Sequence, residues 1–442
     1  MKMRTGALAG AAALAIAAGV LAANPAAAQT LTIATVNNSD MIVMQKLSPQ
    51  FEKATGIKLN WVVLEENVLR QRVTTDIATK GGQFDIITIG AYETPIWGKQ
   101  GWLTELDDLG DDYDYNDVIP QVKAGLSYDG KLYAVPFYAE SSFTFYRKDL
   151  FDKAGIKMPD KPTYQQLAEY ADKLTDKKAP VYGMCLRGKP GWGENMAFLT
   201  TAVNAFGGEW FNMKWEPQLT SQPWKDAISW YLDVMKKDGP PGATANGHNE
   251  NRALFATGKC AMWIDATSAA GFIYNPKNSQ VADKTGFTAS PVTDKNQNAS
   301  GWAWAWALGI PSSTKQADAA KKFVKWATSK EYIKLVGESE GWVSAPPGTR
   351  KSTYDNPEYQ KAAPFAATVL TAIQVADPSH ATVDKVPYTG VQFVAIPEFQ
   401  GIGTTVGQDI AAALAGQTTA DQALAKAQAT AERTMKQAGY PK

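Results

Sequence analysis

Between residues 31 and 89 apolar runs and amphipathic stretches alternate in strict order, and this alternation constrains the fold more than any other feature. Residues 31–36 form an apolar strand. A helix follows, with Ser39 or Asp40 near its cap and Met44, Leu47 and Phe51 at helical spacing, and after Gly56 a second strand spans 57–64. A second helix starts near Val68 and is expected to close at Gly81-Gly82, where glycine suits a left-handed cap residue. Residues 84–89 then read as a fully buried third strand. Such a βαβαβ run builds a parallel, doubly wound sheet whose ligands sit beyond the carboxyl ends of its strands. Topology alone therefore selects three loops: Asn37-Asn38-Ser39, Glu65-Glu66 and Ala91-Tyr92-Glu93. Capping and turn chemistry explain Asn and Ser at such places equally well.

The pattern resumes downstream. Strand-like runs occur at 132–140, 143–146, 181–186, 260–264 and 287–310. Thr163 and Gln166 have capping-box spacing ahead of an apolar helical face, residues 316–336 are amphipathic, and an Ala-rich helix or two ends the chain. Two α/β lobes with a cleft between them are expected, and 442 residues suffice for both.

Residues 1–28 read as a secretory signal: Lys2 and Arg4, an Ala-rich apolar run over 6–23, a break at Asn24-Pro25, then Ala26-Ala27-Ala28. Loss of Lys2 and Arg4 would leave 42 basic residues against 44 acidic ones, a balance that attracts neither nucleic acid nor anionic lipid. No later run is long enough to span a bilayer, so a soluble exported protein is expected. With two His (His248, His380) and two Cys, the usual zinc sites lack ligands, and no metal or other cofactor is expected. In an oxidising space Cys185 and Cys260 are either a disulfide or two buried thiols, and spacing does not choose between them.

Several motifs fail on inspection. Asp112, Asp114 and Asn116 resemble the start of an EF-hand, but Asp117 and Lys123 stand where Gly and Glu are required, so a solvated loop is expected. Ser312 and Lys315 give a formal Ser-x-x-Lys at an ordinary helix cap. Gly401, Gly403 and Gly407 have the wrong spacing for a phosphate loop. Glu140 and Asp265 each end an apolar strand where a side chain can enter a cleft. They could serve a glycosidase as a carboxylate pair, or a binding protein as acceptors for hydroxyls. Trp302, Trp304 and Trp306 alternate on one strand face; Trp306 is expected in the core and Trp302 as a stacking platform. Trp192, flanked by Gly191 and Gly193, sits in a loop near Arg187, which could equally make a surface ion pair. Flat rings beside carboxylates and amides describe a site for a sugar or polyol.

Specific motifs carry a family resemblance: Phe84-Asp85-Ile86-Ile87, Gly101-Trp102-Leu103, residues 130–136, Tyr146-Arg147-Lys148-Asp149-Leu150-Phe151, and Phe255-Ala256-Thr257-Gly258-Lys259. Over essentially all of the chain after residue 28, the sequence resembles the family 1 extracellular solute-binding proteins of ABC importers. Arg147 departs from the Asn common there. Asn37-Asn38-Ser39-Asp40, residues 138–142 and residues 301–306 are most similar to the sorbitol/mannitol-binding branch. The resemblance implies a two-lobed periplasmic-binding-protein-like fold (type II, maltose-binding-protein-like) with a hinge. Residues 29–138 with 289–338 would form one lobe, and 139–288 with 339–442 the other. It implies a monomer in the periplasm that delivers a sugar alcohol unchanged to the importer's permease. The ligand contacts implied are Asn38, Ser39, Tyr92, Glu140, Trp192, Asp265, Trp302 and Trp304, with Arg187, Trp342 and Tyr388 as additions.

Overall fold

The computed structural model of the chain describes residues 29–297 and 301–441. The export segment expected over 1–28 lies outside the described residues.

The first strands form where apolar residues alternate or run together. β1 (Thr30–Val36) pairs in parallel with β2 (Lys58–Leu64) along its whole length and with β3 (Ile86–Gly90) through Ile33 and Ala34. All five residues of β3 are buried, as a central strand of a parallel sheet requires. The helix expected after β1 is two helices, α1 (Ser39–Leu47) and α2 (Pro49–Thr55). Pro49 has no N–H to continue the first helix but suits the opening position of the second. Asn38, not Ser39 or Asp40, caps α1: its Oδ1 accepts the Met41 N–H at 2.9 Å. α3 (Glu66–Thr79) closes on Lys80, which itself takes the left-handed conformation (φ 52°) expected of the glycines after it.

After a two-stranded hairpin, β4 (Ser127–Tyr128) and β5 (Lys131–Leu132), the chain enters β6 (Ala134–Glu140), passes Ser141, and continues as β7 (Ser142–Arg147). β6 belongs to a five-stranded sheet of order β2-β1-β3-β11-β6, whereas β7 belongs to a four-stranded sheet of order β10-β7-β9-β8. The second sheet holds β8 (Tyr182–Cys185), β9 (Cys260–Ala266) and β10 (Thr285–Ala289). The chain then returns to the first sheet as β11 (Trp304–Gly309), antiparallel to both β3 and β6. The fold is a two-lobed α/β structure whose two sheets are joined by crossing segments. At the first crossing the Ser141 carbonyl accepts the Thr267 N–H (2.8 Å), and at the second Ser142 and Ser290 share a 2.8 Å hydrogen bond.

Helix Ala317–Ala327 packs on the first sheet through Phe323, which meets Phe51 and Trp61. Helices Phe399–Leu414 and Ala420–Gln437 pack with helices Asn195–Ala205 and Gln222–Asp238 around the second sheet. Cys185 and Cys260 form a disulfide between the neighbouring parallel strands β8 and β9. The acidic loop is solvated at Asp112 and Asp114, as expected, and carries surface ion pairs, Asp112 to Lys325 (2.7 Å) and Asp114 to Lys330 (2.6 Å). Arg147 is buried, donating to both Asp149 oxygens and to the Gly258 carbonyl.

Candidate functional site

Carboxyl ends of first-sheet strands build one wall of a cavity at the junction of the sheets. After β1, Asn38 Nδ2 reaches the Tyr138 hydroxyl at 3.1 Å. After β2, α3 begins with Glu66 and places Arg70 one turn on, among the apolar residues Leu69, Val73 and Ile77 that bury the helix. A guanidinium on that face needs counter-charges. Arg70 donates to Glu66 Oε1 from Nε (3.1 Å) and Nη2 (2.8 Å), and from Nη1 to Glu93 Oε1 (2.6 Å). Glu93 follows β3, and its other oxygen accepts the Gly90 N–H at 3.0 Å. Gly90 is required by close approach: a Cβ there would lie 2.0 Å from the Trp304 indole. The Arg70 guanidinium carbon lies 4.0, 5.2 and 4.7 Å from the ring centres of Trp192, Trp304 and Trp306.

The second wall hangs on β9. Asp265, completely buried, accepts two hydrogen bonds from Arg187 (2.9 and 2.6 Å), one from Trp263 Nε1 (3.1 Å) and one from the Ala266 N–H (2.7 Å), and His248 Nδ1 lies 2.8 Å away. Burial alone would raise this carboxyl, but Arg187 and His248 hold it well below the usual carboxylate range. Arg187 also donates to the Gly193 carbonyl (2.8 Å), and its guanidinium carbon lies 5.4 Å from the Trp302 ring centre. Burial pushes Glu140 up to about 8, despite a hydrogen bond from the Ser268 hydroxyl. Burial and the nearby Glu66 charge push Glu194 to about 8 as well.

The walls are fastened across the gap by Lys189 to Glu65 (2.5 Å), Asn67 to the Pro190 carbonyl (3.2 Å), Asn249 to the Asn37 carbonyl (2.8 Å) and Arg252 to the Ser39 hydroxyl. Between them lies a cavity of about 140 Å³. At roughly 10–15 Å³ per water-sized site, it has room for one small solute and too little for an oligosaccharide.

Six sequence candidates line the cavity: Asn38, Glu140, Arg187, Trp192, Trp302 and Trp304. Five do not. Ser39 faces a neighbouring recess with Asp40 and Arg252. Tyr92 lies behind Trp192, ring centres 4.7 Å apart, and its hydroxyl donates to the Ile396 carbonyl (3.0 Å). Asp265 sits behind Arg187. Trp342 packs over Gly337, and the buried Tyr388 hydroxyl accepts the Trp210 N–H (3.0 Å). Trp306 is in the hydrophobic core, as expected, and also lines the cavity. Sequence reasoning missed Arg70, Tyr138, Glu194, His248 and Gln392; Glu65 and Glu66, selected as a candidate loop, do line the cavity, with Glu66 opening α3. Arg70 carried a readable signal, a charge on the apolar face of α3 four residues after Glu66.

The chain matches the model of the bacterial extracellular solute-binding proteins over residues 37–334. It is 54% identical over 418 residues to the mannitol-binding protein of Pseudomonas aeruginosa, covering 94% of this chain and 95% of that one. It superimposes with a TM-score of 0.93 on the ABC transporter solute-binding protein of Agrobacterium vitis solved with bound D-mannitol, at 62% identity over 94% of this chain and 100% of the other. A solute-binding protein of Agrobacterium radiobacter in complex with ribitol gives a TM-score of 0.81 at 26% identity, covering 92% and 98%. With two sheets joined by crossing segments, a polar cavity at their junction and this match, the chain belongs to the bacterial extracellular solute-binding proteins.

Proposed function

We propose that the protein is the periplasmic solute-binding component of an ABC importer for sugar alcohols, with D-mannitol and D-sorbitol the first ligands to try. The observation that carries this reading is the cavity between the sheets: small, partly open, and lined by carboxylate, guanidinium, amide and indole side chains contributed by both walls. Such a lining satisfies hydroxyls and penalises an apolar solute, because its polar groups would stay unpaired. The D-mannitol bound by the Agrobacterium vitis relative supports the same class of ligand.

On this reading residues 29–138 with 289–338 and residues 139–288 with 339–442 move as two lobes about the crossings near Ser141 and Ser290. The ligand favours closure only through contacts made in the closed state, and the permease reads that state. The signal over 1–28 delivers a monomer to the periplasm; among the described residues no helix is long and apolar enough to cross a membrane. A glycosidase using Glu140 and Asp265 is disfavoured, because every bonding direction of Asp265 is committed to Arg187, His248, Trp263 and Ala266.

A thermal-shift series with alditols, aldoses and maltooligosaccharides tests the assignment, since a ligand that binds only the native state raises Tm. A rise with hexitols, and hexitol recovered unchanged by NMR, is the expected result. A rise with maltooligosaccharides alone, or turnover of a glycoside, would refute it.

A further inference from the structure

Indoles at a carbohydrate site ordinarily act through their faces, on which the flat C–H surface of a pyranose ring stacks. Here guanidinium groups already lie against the rings. Arg70 lies against Trp192, Trp304 and Trp306 at 4.0–5.2 Å, and Arg187 lies 5.4 Å from the Trp302 ring centre. Arg70 cannot swing aside cheaply. Glu66 and Glu93 hold three of its N–H groups, and a Cβ on Gly193 would come within 2.9 Å of its guanidinium nitrogens, so backbone closes over it as well. Two of these cavity-lining residues also carry unsatisfied donors: Trp192 Nε1 and Trp302 Nε1 are buried and have no hydrogen-bond partner among the described residues. A buried donor left unpaired is costly, so each marks a place where an oxygen acceptor belongs.

We propose that Arg70, by capping the indole faces, makes the cavity selective for open-chain polyols over ring-locked sugars of the same carbon skeleton, the indoles serving as N–H donors to hydroxyl oxygens. An open-chain polyol has no flat C–H face to stack and carries a hydroxyl on each carbon, which matches donors spaced around the wall. A pyranose brings an apolar face to a surface plated with charge. This assignment rests on the reading of the cavity as a polyol site and adds the residues that set its selectivity.

The test compares D-mannitol with 1,5-anhydro-D-mannitol by calorimetry. The latter is the ring-locked form of the same skeleton and smaller by one water, so size does not exclude it. Wild type is expected to prefer D-mannitol at least a hundredfold, and Arg70→Lys, which keeps a charge for Glu66 and Glu93 but loses the flat cap, is expected to reduce that ratio at least tenfold. Comparable affinity for both ligands in wild type, or an unchanged ratio in a folded Arg70→Lys protein, would overturn the assignment. Should Arg70→Lys not fold, Trp192→Phe decides: it keeps an aromatic face beside Arg70 and removes only the N–H. A fivefold or greater loss of D-mannitol affinity supports the donor role, and unchanged affinity overturns it. Wild type binding neither compound nor any other alditol would overturn the functional reading and this assignment together, a result distinct from wild type binding both.

Discussion

The ends of β6 and β9 each deliver a carboxylate from an apolar strand to the junction of the two sheets, yet the two are opposite in electrostatic character. Asp265 is supplied with donors: a bidentate guanidinium, an indole, a backbone N–H and an imidazole. Glu140, directly on the cavity, receives among the described residues one hydrogen bond, from Ser268. One carboxyl is therefore held ionised by the protein, while the other is raised to about 8. Burial is common to both; partner supply separates them. Asp265 is thus a structural anchor that fixes Arg187, whereas Glu140 lines the cavity with most of its accepting capacity unfilled, and on the proposed function a ligand fills it.

The largest effect expected from this contrast is on stability. Asp265→Asn preserves shape but leaves the buried Arg187 cation with only the more distant Glu194 (3.8 Å) as an ion-pair partner, and removing one partner of such a buried pair costs about 3–5 kcal/mol. Chemical denaturation should show that loss, with calorimetry showing loss of ligand binding. A variant as stable as wild type would erase the distinction between the two strand ends. The disulfide comes next, because Cys260 opens the strand that carries Asp265. A cross-link at a separation of 75 residues restricts the unfolded chain, and its removal typically costs about 2–4 kcal/mol. Reduction, or Cys185→Ser with Cys260→Ser, should lower Tm and sensitise the β9 wall first, as hydrogen exchange over 260–266 would report.

How far these features were legible depended on whether their cause was local. β1 and β3 were readable because burial in a parallel sheet writes itself as apolar runs of strand length, and the edge strand β2, with no fully buried residue, still carries such a run. The break at Pro49 was hidden because apolar spacing continues across it from Leu47 to Phe51. Glu140 and Asp265 carried the same local signal, an acid ending an apolar strand, and nothing local separates them: the donors to Asp265 include Arg187, 78 residues away. Trp192 was found as an aromatic without a hydrophobic period, but its partner Arg70 was missed although it lies on the apolar face of α3, because the contact between the two joins residues far apart in sequence. Tyr92 and Tyr388 stood in the right loops, and their hydroxyls are spent on backbone groups that no sequence pattern shows.

Glu140→Gln sharpens the contrast from the other side. A carboxyl raised from 4.5 to about 8 keeps its proton in the folded protein over a range where the unfolded chain has lost it. Its contribution to stability is therefore fully present below pH 4.5 and declines through about pH 8, by on the order of 1 kcal/mol per pH unit. Glutamine resembles the protonated acid, so the variant should match wild type below pH 4.5, exceed it in stability by on the order of 2–3 kcal/mol at neutral pH, and have a flatter pH–stability curve. Ligand hydroxyls favour the ionised form, so binding should release a proton and tighten as pH rises toward 8, up to about tenfold. Calorimetry in buffers of different ionisation enthalpy measures that proton, which should be absent in the variant. Proton uptake on binding would reverse the assignment of Glu140 as an acceptor.

Arg252→Ala gives the smallest effect and asks whether the walls are held together by anything besides the ligand. Arg252, on helix His248–Ala256 of the second lobe, donates to the Ser39 hydroxyl on the first, rests 4.4 Å from the Phe272 ring centre, and is not part of the cavity lining. A contact made across the gap but not to the ligand acts on affinity only through the population of the closed state. Its loss is expected to cost about 1 kcal/mol, or about fivefold in Kd. Because encounter occurs in the open form, the change should fall on the dissociation rate, which stopped-flow measurement of ligand release would resolve from association. An unchanged dissociation rate would mean that the cavity walls alone, the donor-rich one on β9 and the donor-poor end of β6, determine how long the closed state lasts.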